Sequence, residues 1–146
     1  MNSAKMPTRP GIYAIVNRQD KKLYIGKSSN IRARIQQHVS SFKKGKHTQK
    51  MQAAYDNDPD SLECHVIFLC DGNKRELDGL EAIALGYFLN KLGADSLYNT
   101  FTESSSFGVT LLMHSNANTI ELHNALGLND YWCENGSEDI SEYPIL

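Results

Sequence analysis

Apolar positions come in short blocks whose spacing changes from strand-like to helical and back. Gly11 to Val16 reads as a strand, Arg18-Gln19-Asp20-Lys21 as a turn, and Leu23 to Gly26 as the partner strand of an antiparallel hairpin. From Asn30, a good N-cap, Ile31, Ile35, Val39 and Phe42 recur at the helical interval until Gly45 stops the run. A second helix is predicted from Thr48 to Tyr55, ended by the loop Asp56-Asn57-Asp58-Pro59-Asp60. Leu62 to Cys70 alternates loosely and then becomes fully apolar over Val66-Ile67-Phe68-Leu69, which suits a buried third strand. After the turn Asp71-Gly72-Asn73, a long helix runs from about Arg75 to Leu92, with Leu77, Leu80, Ile83, Ala84, Tyr87 and Phe88 as its inward stripe. The fold class is therefore α/β: a small domain with a three-stranded antiparallel or mixed sheet covered by helices.

Beyond residue 100 the pattern weakens. Phe107 to Met113 reads as another strand, and Thr119 to Leu126 as a short helix capped by Asn118 and closed by Gly127. The chain divides into a domain of residues 1–101 and a C-terminal extension of residues 102–146.

At 146 residues and 40% hydrophobic content, the chain can bury one core without staples. It has no apolar run near about 18 residues and no charged-then-apolar leader, so a soluble, intracellular, cytoplasmic protein with no membrane partner is expected. Cys64, Cys70 and Cys133 are odd in number and lack metal-ligand spacing; the first two sit in an apolar stretch and read as core.

The net charge of -2 conceals a segregation of sign. All 15 Lys and Arg lie between Lys5 and Lys91, against 10 Asp and Glu in the first hundred residues, which leaves that part at +5. The rest has no Lys or Arg and seven carboxylates, Glu103, Glu121, Asp130, Glu134, Glu138, Asp139 and Glu142. A basic body attracts phosphate backbones and an acidic segment repels them.

Within the body, Arg34 and His38 stand four residues apart and project from one side of the first helix, next to its apolar stripe. A guanidinium fork there can stabilise charge growing on phosphate oxygens. Glu81 interrupts an apolar stretch, where a carboxylate is costly to bury unless it is paired or binds a cation; magnesium accepts such a site, completing its shell with water and phosphate oxygens. Nearby Asp78 and Lys74 offer Glu81 the blander setting of an exposed helix surface. Tyr13 and Tyr24 lie on the two hairpin strands and share a face only if the register allows. Lys27 follows directly, and its ammonium would favour a phenolate able to take a proton from water. Gly11 and Gly26 suit close backbone packing or unusual torsions.

The ordered set Gly11-Ile12-Tyr13, Tyr24-Ile25-Gly26, Arg34, His38, Glu81 and Asn99 resembles the GIY-YIG nuclease family over about Gly11 to Asn99. The resemblance implies the same order of hairpin, helix, helix, strand and helix. It also implies a catalytic set of Tyr13, Tyr24, Arg34, His38, Glu81 and Asn99, to which the position of Lys27 beside Tyr24 adds a further catalytic candidate. Tyr13 would be the general base, Tyr24 a supporting group, Arg34 the transition-state stabiliser and His38 an active-site histidine. Glu81 would hold magnesium or manganese, and Asn99 would close the domain.

The function expected is metal-dependent hydrolysis of phosphodiester bonds in DNA, duplex most of all, by an enzyme of a mobile element, a phage or a repair pathway. Candidate DNA contacts are Lys27, Arg32, Lys43, Lys44, Lys46, His47 and Lys50. The alternative class is a nucleic-acid-binding or regulatory module with restrained or absent activity. The extension, lacking cations, is assigned to self-association, a protein partner or shielding of the basic face.

Overall fold

The computed structural model describes residues 1–99. The expected strand at Phe107 to Met113, the helix at Thr119 to Leu126, and the whole 102–146 extension with Cys133 lie outside the described residues. Three strands, β1 (Gly11–Asn17), β2 (Lys22–Ser28) and β3 (Leu62–Leu69), form one sheet in the order β2-β1-β3. Both pairings are antiparallel, so the sheet is not mixed. Helices α1 (Ile31–Lys43) and α2 (Gln49–Asn57) contribute to the core on one face, and α3 (Lys74–Leu92) to the core on the other.

This layering explains why β1 shows no alternation: as the central strand it is buried at every position. Its Ile12, Ala14 and Val16 face α3, while Tyr13 and Ile15 face α1. The apolar run in β3 has a second cause. The register shifts between Ile12, which pairs with Phe68, and Tyr13, which pairs with Val66. Ile67 is thereby extra, and both Ile67 and Phe68 enter the α3-side core.

Helices α1 and α3 start on asparagine caps. Asn30 Oδ1 accepts the Ala33 N–H at 3.1 Å, and Asn73 Oδ1 accepts the Glu76 N–H at 2.8 Å. α3 ends at Gly93 with φ 86, a torsion glycine adopts without strain. The segment before β1 also belongs to the fold: Met6 is buried, and the carbonyls of Pro7 and Arg9 accept the N–H groups of Arg32 and Ile31 at the start of α1.

One expectation is corrected here. His38 does not lie beside the apolar stripe of α1 but within it: the buried row is Ile31, Ile35, His38 and Phe42, and Val39 is only half-buried. Steps of four, three and four residues keep a row on one side of a helix. Cys64 and Cys70 are buried and free. Among the described residues no helix is long and apolar enough to cross a membrane.

Candidate active site

The site is built on the hairpin. Tyr13 pairs with Gly26 and Ile15 with Tyr24, so the two tyrosines are diagonal neighbours on the α1 face, their ring centroids 6.4 Å apart. Gly26 is the residue that makes room, since a Cβ there would stand 2.4 Å from both Cζ and Oη of Tyr13. A Cβ on Gly11 would lie 2.1 Å from the Phe68 carbonyl oxygen. The Gly26→Ala variant should therefore displace the buried Tyr13 ring, lowering stability by about 1–3 kcal/mol and the cleavage rate with it. A thermal midpoint equal to that of the parent protein would show that the ring repacks at no cost.

A chain of hydrogen bonds starts at the Tyr13 hydroxyl. His38 Nε2 lies 2.7 Å from Tyr13 Oη, and His38 Nδ1 lies 2.7 Å from His47 Nε2. The Thr48 backbone N–H donates to His47 Nδ1 at 2.8 Å. A backbone N–H can only donate, so the neutral His47 carries its proton on Nε2 and donates to His38 Nδ1. His38 in turn carries its proton on Nε2 and donates to Tyr13 Oη. Both imidazoles are held neutral: burial, then the Arg34 charge and the cost of a second positive charge beside His47, push His38 down to about 3, and burial and then Arg34 lower His47.

Burial, reinforced by Tyr24, also holds the Tyr13 phenol well above its ordinary range, and the nearby Arg34 guanidinium pulls the other way. Tyr24 is raised by burial and lowered by Arg34 in the same fashion. Glu81 acts on both phenols as well, so arginine, carboxylate and the two tyrosines share one electrostatic field. Arg34 itself is exposed, its Nη1 steadied by Gln37 Oε1 at 2.8 Å.

Lys27 behaves differently from the sequence expectation. It pairs with Ile12, so its side chain belongs to the α3 face, opposite the tyrosines. Its ammonium binds the Asp78 carboxylate and lies 3.5 Å from Glu81 Oε1. The cation acting on the phenols is Arg34, and the net shift of Tyr13 is upward rather than toward the phenolate. Glu81 is half-buried; burial raises its carboxyl and Lys27 opposes that rise.

The family model of the GIY-YIG catalytic domain matches residues 9–82. This chain belongs to the GIY-YIG family. The fold is also similar to the structure of the catalytic domain of the homing endonuclease I-TevI, with a TM-score of 0.55 at 22% identity, over 64% of this chain and 100% of that one. A mutant of the same catalytic domain gives a TM-score of 0.53 at 23% identity, over 64% and 99% of the two chains. No curated protein matches.

In this GIY-YIG domain Asn99 binds the backbone of β2 through its side chain. Its side-chain amide accepts from Ile25 N at 2.9 Å and donates to Ile25 O at 2.8 Å, while Tyr98 N bonds to Leu23 O. The residue thus acts like one more strand on the free edge of β2, next to Gly26. Arg32 gives its Nε to the Met6 carbonyl at 2.7 Å, which ties α1 to the leading segment. Lys43, Lys44, Lys46 and Lys50 are exposed around the α1–α2 connection. His47, grouped with them in the sequence, instead faces inward: its ring stacks on Phe42 at 4.1 Å and adjoins His38. Gly45, with φ 68, and the bond from Lys46 N to Ser41 O reverse the chain onto the last turn of α1. That glycine was the signal in the sequence that could have found His47.

GIY-YIG nucleases generally use a divalent metal. Among the described residues no group of three or more His, Cys, Asp or Glu is arranged to hold one. Glu81 nonetheless fits a hard divalent cation, because a single half-buried carboxylate suits an ion that takes its other ligands from water and phosphate.

Proposed function

We propose that this chain is a divalent-metal-dependent DNA endonuclease acting through Tyr13, Arg34 and Glu81. The observation that carries the reading is the chain of neutral histidines that ends on the Tyr13 phenol oxygen, with the charges of Arg34 and, more weakly, Glu81 acting on the same phenol. The direction of the chain makes Tyr13 Oη an acceptor from His38, so the phenol's own proton is not used in that bond. Once that proton is lost to solvent water, the His38 N–H and the Arg34 charge would hold the phenolate, which takes a proton from the attacking water. Arg34 then meets the charge growing on the nonbridging oxygens. Tyr24 buttresses the ring and oxygen of Tyr13. When bound at Glu81, a divalent cation supplies Lewis-acid stabilisation of the phosphate and the departing oxygen.

The test is incubation of purified protein with supercoiled plasmid. Nicked or linear product is expected with magnesium and none with chelator. Cutting in chelator, or none with magnesium or manganese, overturns the reading. The exposed Lys43, Lys44, Lys46 and Lys50 are read as duplex contacts beside the site.

The acidic residues of 102–146 are read as a shield of that basic face. Truncation after Thr102 should tighten DNA binding and speed cleavage at low salt, and the difference should fade as salt screens charges over roughly 10 Å. Equal affinity of the full and shortened proteins at low salt would sink the shielding role; a change in sedimenting mass would mark the segment as a self-association arm.

A further inference from the structure

Asp78 has no part in the reading above, yet it is the closer partner of the one ammonium beside Glu81. It stands three residues before Glu81 on α3, so both carboxylates project toward Lys27 from the same side of the helix. The Lys27 Nζ is hydrogen-bonded to Asp78 Oδ1, while its nearest oxygen on Glu81 is 3.5 Å away. The Lys27 and Asp78 side chains are both exposed, 39% and 42%, so the pair contributes little to stability. Its effect is local. With all three groups charged, one negative charge remains beside Glu81 for a cation to answer. Without Asp78, Lys27 and Glu81 neutralise each other and the ammonium competes directly for the metal-binding oxygen.

We infer that Asp78 is a positioning residue that draws the Lys27 ammonium away from Glu81, leaving Glu81 open to a divalent cation while keeping a positive charge at the edge of the site. The inference rests on Glu81 being the metal ligand, as proposed above, and it extends that reading to a residue outside the family motif.

The experiment measures Mn2+ binding to the full chain without DNA, by the electron paramagnetic resonance signal of free Mn2+. Asp78→Asn should weaken binding about tenfold, the low end of what losing an outer partner costs a metal site. Lys27→Met, which removes the competitor, should tighten it. In the Lys27→Met background, Asp78→Asn should cost no more than about twofold, because no ammonium is left to position. Unchanged binding in Asp78→Asn overturns the inference. So does a full tenfold loss that persists in the Lys27→Met background, which would make Asp78 a ligand in its own right. Glu81→Gln separates the two readings: if it leaves Mn2+ binding intact, the metal site itself is misplaced, whereas its loss alongside an unaffected Asp78→Asn condemns the positioning role alone. Circular dichroism and thermal midpoints of each variant confirm that the exposed substitutions leave the fold in place.

Discussion

Glu81→Gln is expected to reduce plasmid cleavage in magnesium on the order of 10³-fold, about 4 kcal/mol of transition-state stabilisation. The substitution keeps the size of the side chain and removes only its charge. Glu81 lies half-buried on α3 with Lys27 as its ionic partner, and its charge acts on both Tyr13 and Tyr24. The fold should survive, because the side chain retains exposure and Lys27 retains Asp78. Thermal midpoint and single-turnover rate, measured on the same preparation, separate the two effects. A variant that cuts at the parent rate in saturating magnesium would remove Glu81 from the metal role.

The second large effect is expected at Tyr13. Tyr13→Phe keeps the buried ring and its packing under α1 but deletes the oxygen at the end of the histidine chain, so a rate loss of about 10²- to 10⁴-fold with little change in DNA affinity is expected. Tyr24→Phe should cost less, because Tyr24 does not end that chain. The pH profile gives an independent check. A base works deprotonated, and burial raises the Tyr13 phenol above its ordinary value. The phenolate fraction therefore grows about tenfold per pH unit throughout the neutral and mildly alkaline range, and the parent rate should climb with it without a plateau there. Tyr13→Phe should lose that climb. A greater loss at Tyr24 than at Tyr13 would exchange their roles.

The histidines show how much of this was legible beforehand. His38 was visible as a helical partner of Arg34, yet its burial was not, since a row of 31, 35, 38 and 42 looks no more favourable on paper than one through Val39. What selects it is the Tyr13 hydroxyl on the sheet below, which gives a buried imidazole a partner. In the chain His47 sits among lysines. The left-handed turn at Gly45 gives it a different neighbourhood. Adjacency in sequence puts Lys27 near the phenols, whereas strand alternation sends it to the other face.

By itself the sequence determined the order of strands and helices, the helix starts at Asn30, and the inventory of phenols, guanidinium, imidazole and carboxylate. These follow from periodicity, capping and residue type, which act over a few neighbouring positions. The tertiary structure alone decided that Tyr13 and Tyr24 share a face with room supplied by Gly26, that His47 completes a chain to Tyr13, that Asp78 takes Lys27, and that Asn99 binds the edge of β2. Each depends on strand register or on packing between segments far apart in the chain, where a shift of one residue turns a side chain to the opposite face.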